Sequence, residues 1–334
     1  MKKWYLQLIV AVLAAVMMTA CGDGQTDDTS VNEEQPQEQA DQSEGSEEVT
    51  GAEFPVTVTD ALDNEVTFEE KPERIVTLIP SNTEIAFALG LEDNIVGVTE
   101  WCNFPVEAQE KEVIGDMNFN VEKVLAVQPD LVLGHASNAD SLSEGFRQLE
   151  NAGVDVLIVN NANSIQEVYE SIEMISQATG TMTEADQIIT EMQETIENIQ
   201  ETAAANVRDE DRVKVWVEVA PAPEIFTTGK GTFMHEMLEI IQATNAAEES
   251  EGWTQYTEEE AVSLNPDVII TTYGFYIDNP KEQIMSRPAW SDVEAVKTER
   301  VYDVDSDQVT RSGPRLAKGV EELAKLIYPE VFSQ

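Results

Sequence analysis

Between Thr183 and about Ala205 the chain runs for 23 residues without a glycine or a proline. Ile188, Ile189, Met192, Ile196 and Ile199 recur through this stretch at helical spacing. At 1.5 Å per residue it predicts one helix roughly 34 Å long, enough to cross between two bodies. On both sides, short apolar runs alternate with helical patterns. Such alternation calls for parallel sheets covered by helices on both faces.

Before the long helix, Val56 to Phe68 alternates around Asp63-Asn64, as a hairpin does. Arg74 to Ile79 reads as a buried strand ended by Pro80. Ser81 and Glu84 stand at capping-box spacing for a helix that runs to about Leu89. Further strands are predicted at Ile95–Thr99, Leu131–Gly134 and Val156–Val159, with helices at Glu122–Val127, Ser143–Ala152 and Ser164–Ala178. After the long helix, strands are predicted at Val213–Val219, Val268–Thr272 and Arg300–Val304. Helices are predicted at Thr232–Ile241, Glu258–Leu264 and Pro314–Ile327. One segment is used twice. Glu122 to Leu133 matches Glu259 to Ile270 at a single offset, aligning Glu122 with Glu259, Pro129 with Pro266 and Asp130 with Asp267. Proline stops each short helix and aspartate begins the turn into a buried strand. Two lobes of similar build are the simplest source of the match.

Lys2 and Lys3 precede an uncharged, mostly apolar run from Leu6 to Met18, and Met-Thr-Ala-Cys closes it at Cys21. The run is short for a membrane-spanning helix and suits a secretion signal. The closing residues resemble a bacterial lipobox, with Met18 where leucine is usual, so Cys21 is expected to be lipidated. Gly22 to Gly51 has no lysine or arginine and few large apolar side chains, the composition of a solvated tether. The formal charge is -46, and 55 acids against 17 bases remain beyond signal and tether. A body this acidic, with no basic stripe, excludes a nucleic-acid partner. It fits an exposed protein adapted to high salt or high pH. Past Cys21 the only cysteine is Cys102, so no disulfide is available, and the two histidines, His135 and His235, form no ligand cluster. No nucleophile elbow or phosphate loop is present. The chain is therefore expected to be no enzyme and to carry no cofactor or metal.

Several segments together resemble the substrate-binding proteins of ABC importers for vitamin B12 and ferric siderophores. They are Arg74-Ile75-Val76-Thr77-Leu78 with Pro80-Ser81-Asn82-Thr83-Glu84, Val96-Gly97-Val98-Thr99 with Cys102-Asn103-Phe104-Pro105, Pro129-Asp130-Leu131-Val132, and Gly313-Pro314-Arg315. The resemblance covers nearly all of Arg74 to Phe332. It implies an α/β fold of two Rossmann-like lobes joined by a single long helix, the class III periplasmic binding protein. The divisions expected are a signal at 1–20, lipidated cysteine and tether at 21–53, a first lobe at 54–180, the helix at 181–206 and a second lobe at 207–334. It further implies a ligand held between the lobes, and an ABC permease with its ATPase as partners. Glu122 and Glu259 map to the glutamates that meet permease arginines. A monomer anchored by lipid on the outer face of the cell membrane is expected.

Large aromatics fall in predicted loops, where clefts of such folds form: Trp101, Phe226, Trp253, Tyr273, Phe275 and Tyr276. In the B12-binding relatives, aromatics line the cleft at positions matching Trp101 and Trp253, with Phe226 a looser match. Aromatic walls suit a broad ring with amide edges. Trp216, inside a predicted strand, is assigned to the core. Cations for an anionic ferric siderophore are few: Lys230, Arg287 and Arg311. Haem would want an axial tyrosine or histidine, for which Tyr273, Tyr276 and His135 are available. The ranking is a cobalamin-like corrinoid first, then a ferric siderophore, then haem, with Trp101, Phe226, Trp253, Tyr273, Arg311 and His135 as ligand-binding candidates. A manganese or zinc importer receptor would want more converging histidines than two.

Overall fold

A computed structural model describes residues 53–333. The expected signal, Cys21 and all but the last residue of the tether lie outside the described residues. The chain begins with strands β1 (Val56–Thr59) and β2 (Glu65–Phe68), then β3 (Ile75–Thr77), helix α1 (Pro80–Ala88), β4 (Ile95–Val98), β5 (Glu112–Val113), α2 (Val121–Ala126), β6 (Leu131–His135), α3 (Ala139–Asn151), β7 (Asp155–Val159) and α4 (Ile165–Thr179). The long helix α5 is Met182–Asn206. Beyond it come β8 (Lys214–Glu218), β9 (Ile225–Thr228), α6 (Phe233–Ile240), β10 (Thr244–Asn245), β11 (Trp253–Tyr256), α7 (Glu258–Ser263), β12 (Val268–Thr271), α8 (Pro280–Ser286), α9 (Glu294–Lys297), β13 (Val301–Asp303), α10 (Ser306–Val309), α11 (Leu316–Ile327) and α12 (Pro329–Phe332).

Two parallel sheets result, ordered β5-β4-β3-β6-β7 before α5 and β10-β8-β12-β13 after it. Helix α5 has 25 residues and packs against α4 on one side and α11 on the other. Its buried positions Ala185, Ile189, Met192, Ile196, Ile199 and Ala203 fall three or four apart, one continuous stripe. One apolar cluster accordingly runs from Ile75 and Leu131 through α5 to Val215, Leu238 and Leu323. The other face of α5 carries Glu184, Asp186, Glu191, Glu194, Glu197 and Glu201, all exposed, and the helix has no basic residue.

The repeated segment folds the same way twice. Asn120 caps α2 and Thr257 caps α7, the latter in a capping box with Glu260. Both short helices then stop at a left-handed residue, Gln128 with φ 48° and Asn265 with φ 45°. The Asp130 carboxylate accepts the Arg74 amide at 3.0 Å, and Asp267 accepts the Lys214 amide at 2.8 Å. Arg74 and Lys214 in turn donate to the carbonyls of Val127 and Leu264 at 2.6 and 3.1 Å. Each aspartate thus ties the entry of one central strand to the turn before its neighbour.

Three local expectations are corrected. Strand β3 ends at Thr77, Ile79 is the N-cap of α1, and no side chain caps that helix. Proline at the first helical position is already set for helix, and Ser81 lies inside. Helix α3 starts at Ala139, a turn before Ser143. The segments holding Phe226 and Trp253 are not loops; β9 and β11 pair antiparallel, with Phe226 opposite Gln255 and Trp253 opposite Thr228.

Replacing Asp267 by alanine leaves the Lys214 amide without its acceptor and is expected to lower the unfolding free energy by about 1–2 kcal/mol. Asp130→Ala, at the more exposed site, is expected to lose less. Urea denaturation of both variants checks the pair.

Candidate functional site

In the first sheet the strand order reverses between β3 and β6, and crevices of open α/β sheets form at the carboxyl ends of such strands. A cavity of about 350 Å³ lies there. Ile79, Pro80 and Ser81 line it after β3, His135 and Ser137 at the end of β6, and Asn161, Ala162 and Asn163 after β7. The second lobe contributes Phe233, Trp253, Thr310, Arg311 and Ser312. The cavity therefore stands between the lobes. A larger hollow, about 540 Å³, lies beside the β1–β2 hairpin and α3, and every residue lining it comes from the first lobe.

His135 is 4% exposed. Its Nδ1 accepts the Ser137 amide at 3.2 Å and lies 2.8 Å from the Ser137 hydroxyl. The neutral ring therefore carries its proton on Nε2, a buried nitrogen. Burial pushes the pKa down to about 4, against a smaller opposing pull from the Asn160 backbone. The ring is thus a neutral group beside the cavity, with Nε2 itself buried. Trp253, 42% exposed, meets the buried Phe233 edge-on with ring centroids 5.9 Å apart, and these two rings form the aromatic wall.

Arg311 belongs to a network that crosses the lobes. It donates to Glu84 at 2.9 Å and to the Asn103 side-chain oxygen at 2.6 Å, and pairs with Asp307 at 2.8 Å. Arg315 grips the same Glu84 through two nitrogens at 2.6 and 2.8 Å and lies over the Phe104 ring at 4.0 Å. Asn103 also donates to Asp307 at 2.9 Å. Glu84 is 3% exposed. Its place in a capping box is therefore corrected: two arginines of the opposite lobe hold its carboxylate. Glu84 and Arg315 face a separate hollow, so the clamp stands between that hollow and the cavity.

Of the candidates named from sequence, His135, Trp253 and Arg311 come together here. Trp101, 53% exposed in the turn after β4, and half-buried Phe226 on β9 are outside the cavity lining. Tyr273 is corrected from a wall residue to a core residue. It is fully buried, and its hydroxyl donates to Glu218 at 2.8 Å. Arg287 pairs with the same Glu218 at 2.7 Å and is no cleft cation. Lys230 is exposed and does not line the cavity. Phe275 and Tyr276 stand exposed after β12. Trp216 lies in the core, as expected. Glu122 and Glu259 are exposed in the first turns of α2 and α7. The sequence reading missed Asn161, Asn163, Phe233 and Thr310. For the two asparagines a signal existed, since they directly follow a predicted strand at the carboxyl edge of the sheet.

A family model described as periplasmic binding protein matches residues 75–308. The chain is 47% identical to YvrC of Bacillus subtilis strain 168, named an uncharacterised ABC transporter substrate-binding lipoprotein, over 97% of this chain and 96% of that one. It is 27% identical to a cobalamin-binding protein of Halobacterium salinarum strain R1, covering 82% of this chain and 74% of that one. Among solved structures, a periplasmic solute-binding protein of Staphylococcus epidermidis, described as a possible iron-binding protein, superposes with a TM-score of 0.70 at 34% identity. That match covers 78% of this chain and all of that one.

The low pKa of His135 gives a pH dependence with a definite sign. The unfolded chain takes up a proton near pH 6.5 and the folded site only near 4, so the share of stability that depends on His135 falls as pH drops through this window and is constant above it. His135→Gln is expected to remove that share: between pH 7 and 4.5 the wild type should lose roughly 2–3 kcal/mol more than the variant. Urea titrations at the two pH values measure the difference.

Proposed function

Because the chain belongs to the periplasmic binding protein family, we propose that it is the extracytoplasmic solute-binding lipoprotein of an ABC importer, and that it captures a cobalamin-like corrinoid between its lobes for delivery to the permease. The observation that carries the ligand class is the chemistry of the cleft. Its wall pairs two aromatic rings with asparagine, serine and threonine side chains, a neutral imidazole and an arginine already neutralised by carboxylates. An uncharged, amide-edged ring suits these groups. A propionate- or catecholate-bearing ligand would bring negative charge to a site that offers it no free cation among the described lining residues.

A whole corrinoid exceeds the 350 Å³ cavity. Part of it therefore rests outside the cavity, against the exposed surface around it. The name of the Halobacterium relative supports this choice. The description of the Staphylococcus structure supports the alternative, a ferric siderophore. Haem is less favoured, because a ring that accepts at Nδ1 keeps its proton on Nε2 and does not present that nitrogen to a metal.

The chain acts outside the cell, held to the membrane through lipid on Cys21, as a monomer. Glu122 and Glu259, one on each lobe, dock the loaded body to arginines of the permease by charge-assisted hydrogen bonds. Their matching places in the repeated segment support this role.

Tryptophan-fluorescence titration of the full-length protein is expected to show saturable quenching by cyanocobalamin and none by a ferric hydroxamate, a ferric catecholate or haemin. Quenching by an iron complex alone would replace the corrinoid with that ligand. In cells, Glu122→Ala with Glu259→Ala is expected to abolish uptake while leaving the affinity for cyanocobalamin unchanged. Undiminished uptake would remove the docking assignment.

A further inference from the structure

The cleft's only positively charged lining residue among those described does not act as a cation. Arg311 is matched by Glu84 at 2.9 Å and Asp307 at 2.8 Å, and the neighbouring Arg315 is matched by Glu84 with Asp305 and Asp307 nearby at 3.8 and 3.7 Å. Two guanidinium groups therefore face three carboxylates, a cluster of net charge -1 by formal count. Glu84 itself is buried from solvent, so salt screens its pairings poorly.

We propose that Glu84, helped by Asp307, sets the charge selectivity of the cleft. By neutralising Arg311 from across the lobes, it makes the site favour an uncharged solute over an anionic one of the same shape. Glu84 does not line the cavity and acts only through Arg311, so it is a positioning residue. The inference rests on the solute-binding reading and adds to it the residue that decides ligand charge.

The test compares ligands matched in shape and different in charge. One pair is cyanocobalamin and the monocarboxylate obtained by hydrolysing one of its propionamide arms. The second is an uncharged ferric trihydroxamate and an anionic ferric triscatecholate. Wild type is expected to prefer the neutral member of whichever pair it binds. Glu84→Gln removes one negative charge beside Arg311 and is expected to move the neutral-to-anion affinity ratio about tenfold toward the anion. Asp307→Asn, at a more exposed site, should move it the same way by less, and serves if the Glu84 variant folds poorly. Glu84→Asp keeps the charge while disturbing the packing, and its ratio should stay at the wild-type value. An unchanged ratio in both Glu84→Gln and Asp307→Asn would overturn the inference while leaving the solute-binding reading intact. Failure of wild type to bind any of the four ligands would overturn both.

Discussion

The grip of two arginines on one buried carboxylate is the contact on which the cleft depends. Glu84 sits on the first lobe, and Arg311 and Arg315 reach it from the second. Burying a carboxylate is unfavourable unless hydrogen bonds replace its water, and here three guanidinium nitrogens do so. Removing one partner of such a pair leaves an uncompensated charge, so the pairing ties the lobes in register even if its net contribution to stability is small. The segments it joins are among those that carry the sequence likeness: Pro80 to Glu84, Cys102 to Pro105 and Gly313 to Arg315. They lie far apart in sequence and meet at this clamp.

The two lobes repeat one construction and then differ where it matters. Each starts a central strand against an aspartate, and each has a capped helix of six residues ending in a left-handed turn. The second sheet also reverses its strand order, between β8 and β12. At that edge Tyr273 and Arg287 both donate to the buried Glu218, whereas at the first lobe's reversal His135, Ser137 and the asparagines after β7 line a cavity.

Much of this frame was legible from local patterns. Strand and helix alternation, the uninterrupted run that became α5, and the echo of Glu122, Pro129 and Asp130 are short-range signals, each set by neighbours within a few residues. The site was less legible because its contacts join residues more than two hundred positions apart. Glu84 has capping-box spacing from Ser81, but proline at the first helical position removes the need for that cap and frees the carboxylate for a distant partner. Tyr273 occupies the edge where clefts form, yet a buried glutamate on a neighbouring strand claims its hydroxyl. The β9–β11 ribbon pairs strands separated by about 25 residues, and neither strand announces its partner.

The connection between the lobes is a polyelectrolyte as well as a strut. Helix α5 sets six exposed carboxylates along its outer face with no base among its residues, and Glu191, Glu194, Glu197 and Glu201 follow one another at three- and four-residue intervals. Like charges at such spacing disfavour a helix by roughly 0.2–0.5 kcal/mol per pair when unscreened. Dissolved cations gathering along this face relieve the repulsion, and their density rises with ionic strength. The stiffness of this connection is therefore partly a property of the ionic strength around it.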